Sequence, residues 1–277
     1  MSTTINLAFT KQFEAEVHQA YQQNGSKLRG TVRFKSDVKG SSTTFQKVGK
    51  GIAGVKARHG LVPVMNLDHT PVECFLYDYY AGDWLDSLDE MKVGHDEREV
   101  IINAGAYALG RKTDELIINA LANAENTVGD YSTGLSKSLI LDAFSALNEK
   151  DVPDDGQRFG IVGPREWNFL LSLPEFSDAN YVGDEFPWLK GSESRKWLGI
   201  VWIMHTGLPE TSAGGRDCFI YHKTAVGHAS GQDVKSDVSW HGDHAAYFIN
   251  NMMSQGSVLI DNDGIVKIKV DADAEIV

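Results

Sequence analysis

Residues Asp96 to Asn126 read as one continuous helix, and no other feature of the chain restricts its fold as strongly. At about 1.5 Å per residue, a helix of roughly 30 residues spans about 45 Å. Asp96 is placed as its N-cap, with Glu97 and Glu99 in the first turn, where the helix dipole favours negative charge. Ile102, Ala106, Leu109, Thr113, Leu116, Ile117, Ala120, Leu121 and Ala124 form a broad apolar stripe, and Gly129 with the polar Asp130–Gly134 run ends it. The stripe is not a heptad seam, and the chain ahead of it is polar, glycine-rich and without an evident core. A long helix joined to so much extended chain points to a part that lies against copies of itself, in an assembly protein rather than an enzyme.

Composition narrows the choice. With 277 residues, 42% of them hydrophobic, the chain can bury one large core or two small ones, and one domain with long appendages fits that length. Cys74 and Cys218 lie far apart, and the sequence opens without a basic segment followed by an apolar one. Neither a disulfide framework nor a secretory signal is expected, and synthesis in a reducing, intracellular site is. No run approaches the roughly 20 apolar residues that cross a bilayer. A formal net charge of −12 argues against gripping nucleic acid, because phosphate binding depends on Lys and Arg releasing counterions. Nucleic acid near this protein would be contained rather than held.

Leu7 to Gln23 places Leu7, Phe9, Phe13, Val17, Ala20 and Tyr21 near helical spacing, an amphipathic segment whose stripe must dock on something. From Asn24 to Gly60, glycines punctuate short β-prone pieces, Thr31–Phe34 and Phe45–Val48, which reads as an extended two-stranded arm. Such a hairpin is marginal alone in water and borrows stability from a partner surface. Pro71 to Asp86 reads as a strand leading into the long helix. Beyond the helix, Ser136–Glu149 and Pro164–Leu173 are predicted helices, the second with Pro at its first turn. Gly160–Val162, Leu198–His205 and Cys218–His222 are predicted strands, the last two separated by the loop Thr206–Asp217. Ser257 to Val270 is a predicted hairpin on an Asp-Gly turn. No repeat, low-complexity tract or linker divides the chain.

Signatures of chemistry are weak. Gly49-Lys-Gly51-Ile-Ala-Gly54 spells a dinucleotide-binding motif, but the glycine-bounded residues after it are too short for the helix that motif must open. His241 and His244 form an i, i+3 pair able to ligate a metal, although a zinc site needs three or four converging ligands. Asp261-Asn-Asp-Gly264 begins like a calcium loop, yet its twelfth position is Ala272 rather than a closing glutamate. There is no nucleophile elbow or phosphate loop, and neither cysteine has an activating motif. Asp86 with Asp89 and Glu90, and Asp154 with Asp155, read as solvated acidic loops. Trp84, Trp167, Trp188, Trp197, Trp202 and Trp240 are scattered, as packing anchors for cores or interfaces are.

The order of arm, basic glycine-rich hairpin, aromatic strand, long helix, mixed α/β region and returning hairpin resembles the major capsid proteins of tailed bacteriophages with the Hong Kong 97 phage fold. Val64–His69, Tyr77–Trp84 and Asp114–Ile118 look like one branch of those coat proteins. The resemblance implies an α+β fold with an N-terminal arm at 1–29 and an extended loop at 30–70 that reaches over a neighbour. It implies a peripheral domain with a spine helix at 71–135 and 252–277, and an α/β axial domain at 136–251 around five-fold and six-fold centres. Members of the group often carry a long helical scaffolding segment ahead of the arm; here scaffolding is expected from a separate protein or not at all. Some members cross-link a loop Lys to a distant Asn. Lys47, Lys50 and Lys56 fall in the corresponding region, but any exposed arm carries lysine, and cross-linking is not expected.

The function implied is a structural subunit that self-assembles into an icosahedral head shell around double-stranded DNA. Its contacts to other copies are expected at Phe9, Phe13, Phe45, Lys47, Lys50, Lys56, Arg58, His59, Leu208 and Arg216. Its partners would be copies of itself in pentamers and hexamers, a portal, and separate scaffolding and cement proteins; no cofactor, metal or membrane is expected. The location would be the virion capsid, after synthesis in the bacterial host cytoplasm. The rival readings are an encapsulin-like compartment shell and a metal-dependent enzyme using His241 and His244.

Overall fold

The computed structural model describes residues 23, 25–90, 97–173, 176, 194–211 and 214–274, and combines helices with three β-sheets. Strands β1 (Arg33–Lys35), β2 (Ser42–Val48), β3 (His69–Phe75) and β4 (Tyr77–Asp86) precede a short helix α1 (Ser87–Glu90) and the long α2 (Glu97–Ala122). Then come β5 (Thr127–Val128), α3 (Lys137–Glu149), β6 (Arg158–Val162), α4 (Pro164–Ser172), β7 (Ser194–Trp197), β8 (Ile200–Met204) and β9 (Gly215–His222). Last are β10 (Val226–His241), β11 (Ala246–Leu259) and β12 (Ile265–Asp271). Compactness divides these into a smaller unit built on Asp78–Lys112 and Asp233–Met253, and a larger one built on Lys27–Tyr77, Thr113–Gln232 and Ser254–Val277. Helix α2 and strands β10 and β11 contribute residues to both.

The larger unit is organised by a six-stranded sheet in the order β5-β12-β9-β6-β8-β7. β6 and β8 are parallel and joined through α4, whereas β9 is antiparallel to both β6 and β12. Runs such as Phe219-Ile220-Tyr221 are buried residue after residue, as expected for a strand covered on both faces. Ser136 caps α3 by accepting from the Leu139 N–H at 3.3 Å, and Ile140, Ala143 and Leu147 then face inward at helical spacing. Pro164 occupies the first turn of α4, where its missing N–H leaves no bond unmade. The second half of α2 sends Ile117, Ile118 and Leu121 into the same core as Trp202, Phe219 and Ile268.

A polar cluster centred on Asp114 stands in this core. Asp114, on α2, has no solvent exposure and accepts from the backbone N–H groups of Lys27 and Leu28 at 3.0 and 3.1 Å. His205 Nε2 lies 3.0 Å from its carboxylate, while His205 Nδ1 accepts from the Gly207 N–H at 3.0 Å. That second bond puts the imidazole proton on Nε2, so a neutral His205 donates to Asp114. Thr31 donates its hydroxyl hydrogen to Leu28 O at 2.7 Å and so accepts from the buried Tyr221 hydroxyl. Together these bonds fasten 27–31 to α2 and β9.

In the smaller unit the first half of α2 packs Leu109 inward, with Ile102 and Ala106 half-buried. Gly105 is required there, because a Cβ would lie 2.8 Å from Asn251 Cγ. Asn251 is fully buried, donates to Ala81 O at 3.2 Å and accepts from the Ser236 hydroxyl.

Several expectations are corrected. The long helix is observed at Glu97–Ala122, four residues short of the predicted end at Asn126, and Leu116 is only half-buried. Phe45–Val48 does pair, but in β2 and with β3 rather than with Thr31–Phe34; β1 joins β10 in parallel instead. Pro71 to Asp86 is two strands, not one: β3 pairs with β2, β4 pairs with β11 in another sheet, and the buried Leu76 stands between them. The C-terminal pair is not a hairpin: β11 belongs to the sheet ordered β1-β10-β11-β4 and β12 to the six-stranded sheet. The Asp-Gly step forms a 3-10 turn at Asn262–Gly264 fixed by the Asp261 carboxylate, and Gly264 lacks the positive φ that a tight hairpin turn demands. The amphipathic stretch 7–22 and the proposed cap Asp96 lie outside the described residues.

Candidate assembly surface

Between β2 and β3 the chain makes a long excursion with a defined course. The antiparallel register ends at Val48 opposite His69, and the Gly49 N–H adds one further bond to Asp68 O at 2.8 Å. Beyond it the two limbs stay side by side: a Cβ on Gly51 would strike Met65, and one on Gly54 would lie 2.7 Å from the Pro63 ring. The glycines of the dinucleotide-like motif therefore serve close approach of two limbs, with no helix following them. The tip is a turn closed by Gly60 N–H to Ala57 O at 2.9 Å, with His59 in the left-handed region at φ 71°.

Apolar side chains along the limbs have no place in their own subunit. Val55 is 100% exposed, Leu61 96%, Ile52 85% and Val64 79%. Covering such a side chain yields roughly 1.5–3 kcal/mol, so four of them represent a strong drive toward a partner surface. The arm's charge adds direction: 48–69 carries Lys50, Lys56 and Arg58 against Asp68, whereas the whole chain carries −12.

The root of the arm is tied down. Phe45 on β2 is buried with Cys74, Leu76, Ala229 and Ile260 in a second core cluster. Lys47 pairs with Asp261 at 2.7 Å and Lys50 with Asp151 at 2.8 Å, while Lys150 pairs with Asp263 at 3.3 Å. The Lys50 hydrogen bond holds the Asp151 carboxyl below its ordinary value, and Asp151 in turn raises Lys50.

Of the residues expected from the sequence to meet other copies, Lys56, Arg58 and His59 are exposed at the tip. Lys47 and Lys50 are at the root, engaged in the pairs above. Phe45 and Leu208 are buried inside the subunit. Arg216 is held between Glu166, at 2.9 Å, and Glu210. Phe9 and Phe13 lie outside the described residues. Sequence reasoning passed over Ile52, Val55, Leu61, Val62, Val64 and Met65; the available signal was a cluster of apolar residues inside a stretch with neither helical period nor strand partners.

The other sequence candidates are placed differently. In the smaller unit His241 and His244 pack their rings on Trp84, with centroids at 5.1 and 4.6 Å, and no cluster of three metal-ligating groups occurs among the described residues. Burial pushes the Cys74 thiol up to about 11 and raises that of Cys218 as well, leaving both poor nucleophiles.

Comparison with known proteins follows the same direction. No curated protein matches the sequence. Among solved structures, the capsid of the cyanophage P-SCSP1u superimposes with a TM-score of 0.72 at 16% identity, covering 98% of this chain and 95% of that one. The capsid of Ralstonia phage GP4 gives 0.72 at 13% identity over 99% of each chain. A structure from Mycobacterium phage Che8 gives 0.69 at 17% identity, covering 93% and 96%. At these identities the likeness is one of fold, the α+β Hong Kong 97 type. The family model described as phage capsid protein matches residues 5–272. The match covers nearly the whole chain, the arm with its exposed apolar residues included, and the chain belongs to the phage capsid protein family.

Proposed function

We propose that this major capsid protein closes into an icosahedral head shell of pentamers and hexamers, each copy laying its 48–69 arm on a neighbour, around the double-stranded DNA of a tailed bacteriophage. The observation that carries the reading is the exposure of Ile52, Val55, Leu61 and Val64 on an arm whose root is rigidly anchored. An anchored arm fixes the direction of a head-to-tail contact, and head-to-tail contacts that close by rotation make rings. The drive of those side chains is largely spent on immobilising one copy against the next, so each contact is modest in net terms and the shell is stable because it repeats.

The genome is enclosed rather than bound by sequence, in keeping with a net charge of −12. A portal, a separate scaffolding protein and cement proteins are the further partners of such a shell, and the bacterial cytoplasm is where it is made. The test is electron microscopy of purified recombinant protein, followed by identification of what particles recovered from the native source contain. Closed shells holding duplex DNA support the reading. Shells that hold a protein cargo would establish a compartment instead, and protein that stays dispersed under all assembly conditions would contradict both.

A further inference from the structure

A cleft of about 700 Å³ opens on the larger unit beside the root of the arm, where Arg33 reaches β2. Its walls include Arg29, Arg33, Phe34, Gln157, Lys223 and Thr224, and among the described residues no carboxylate lines it. That is unusual on a chain with 38 acidic and 26 basic residues. The Arg29 guanidinium sits 4.3 Å above the Phe34 ring, and His228 stacks with the same ring at 5.8 Å. Arg33 is steadied over Phe45 at 5.5 Å and donates to Gln46 O at 3.4 Å. The Lys223 backbone is fixed by its N–H to Gln157 O at 3.0 Å. Among the described residues neither Arg33 nor Lys223 enters an ion pair. Protection of a sheet edge explains charges on β1, the outermost strand of its sheet, but not Lys223, which comes from a 3-10 turn.

Nucleic acid is the poorer match to this cleft. A base needs an open aromatic face to stack on, and Phe34 is engaged by Arg29 and His228. The field of a −12 subunit also opposes a polyanion approaching as a whole. Carboxylates on a protein segment suit the positioned Arg33 guanidinium and the ammonium of Lys223 beside it, and an edge strand accepts an extended segment alongside it. In a shell the segment at highest local concentration belongs to another copy. We infer that the cleft is an inter-subunit socket for an acidic, extended segment of a neighbouring copy, whose carboxylates Arg33 and Lys223 grip. The inference rests on the self-assembly proposed above.

The test uses assembled shells of the full chain, made from a mixture of unlabelled and heavy-isotope subunits. A zero-length carbodiimide joins a lysine amine to a touching carboxylate as an amide. The expected product is Lys223 linked to an Asp or Glu peptide, with the mixed-isotope masses that identify a bond between copies. The double variant Arg33→Ala with Lys223→Ala should melt like the wild type yet need a subunit concentration about tenfold higher to assemble. Shells in which Lys223 forms no link, or links only within its own copy, overturn the socket and leave the shell reading standing. So does a double variant that assembles as well as the wild type. Binding of duplex DNA by wild-type subunits that is lost in the double variant would make the cleft a nucleic-acid site and also overturn it. If the wild type makes no shells at all, the assembly reading falls first and the socket with it.

Discussion

The central strands of the six-stranded sheet and the two limbs of the arm use the same residue types to opposite ends. In β6, β8 and β9, residues such as Ile161, Trp202 and Ile220 are fully buried, and every neighbouring strand supplies a ladder of backbone bonds. In 50–67, residues such as Ile52, Val55 and Leu61 face outward, and the turn bond from Gly60 to Ala57 is the only backbone hydrogen bond within that stretch. Backbone groups and apolar side chains both seek partners. The sheet satisfies them inside one chain, whereas the arm leaves them for another. On the proposed function, the contrast separates residues that make a subunit from residues that make a shell.

The sharpest way to break that contrast is to put the same charge in both regions. Ile161→Asp buries a carboxylate with no partner, which costs several kcal/mol and approaches the roughly 5–15 kcal/mol that hold a typical domain together. The expected result is insoluble or unfolded protein. Val55→Asp should leave circular dichroism and the melting temperature unchanged while lowering the yield of shells. A folded Ile161→Asp subunit, or an unfolded Val55→Asp one, would erase the distinction.

A smaller effect is expected at the polar anchor of the core. Asp114→Asn leaves one oxygen to serve donors that two oxygens now serve, the Lys27 and Leu28 N–H groups and His205 Nε2–H. Leaving buried donors unsatisfied costs about 1–3 kcal/mol, read as a lower midpoint in denaturant, and 27–31 should become the first segment cut by protease. Unchanged stability would show that this segment is held by apolar contacts alone.

The least effect is expected at the root of the arm. The Asp151 carboxyl is held below its ordinary 3.8 by its hydrogen bond to Lys50. The stability it contributes is present above that value and is lost as pH falls through the lower folded value. Lys50 is raised above its ordinary 10.5, chiefly by the same hydrogen bond, so its contribution is present below 10.5 and lost as pH rises past the folded value. Between those limits the pair is insensitive to pH. Both groups are exposed, and such pairs add little to stability. Lys50→Ala should therefore leave the melting temperature unchanged and return Asp151 to its ordinary titration, measured by carboxyl carbon NMR.

How much of this was legible in the sequence follows the same division. Elements stabilised by local chemistry were readable: the Ser136 cap and the Ile140, Ala143, Leu147 spacing mark α3, and Pro164 marks the start of α4. The long strands β10 and β11 were not. Gly227 to Ser230 is buried residue after residue, whereas Gln232 to Val238 is exposed, so no single alternating period runs along β10. The Asp-Gly step misled because turn preference is local, while β11 and β12 are claimed by different sheets. The unit boundaries fall inside α2, β10 and β11, where no glycine-rich or polar linker marks them. At the assembly surface the exposed lysines and Arg58 were legible as an arm, but a burial state is a property of packing. Phe45 and Val55 look alike in the sequence and stand at opposite extremes in the fold, 2% and 100% exposed.

Shortening the arm tests the central claim most directly. Replacing Ile52–Met65 with an Asn-Gly turn keeps the β2–β3 ladder and the buried Phe45 intact while removing the exposed apolar residues. Sedimentation velocity of this variant beside the wild type, under conditions in which the wild type forms shells, should show a folded, dispersed subunit with an unchanged melting temperature and no shell-sized species. Normal shells from the shortened chain would contradict the account, because the arm would then be dispensable to the assembly it is held to direct.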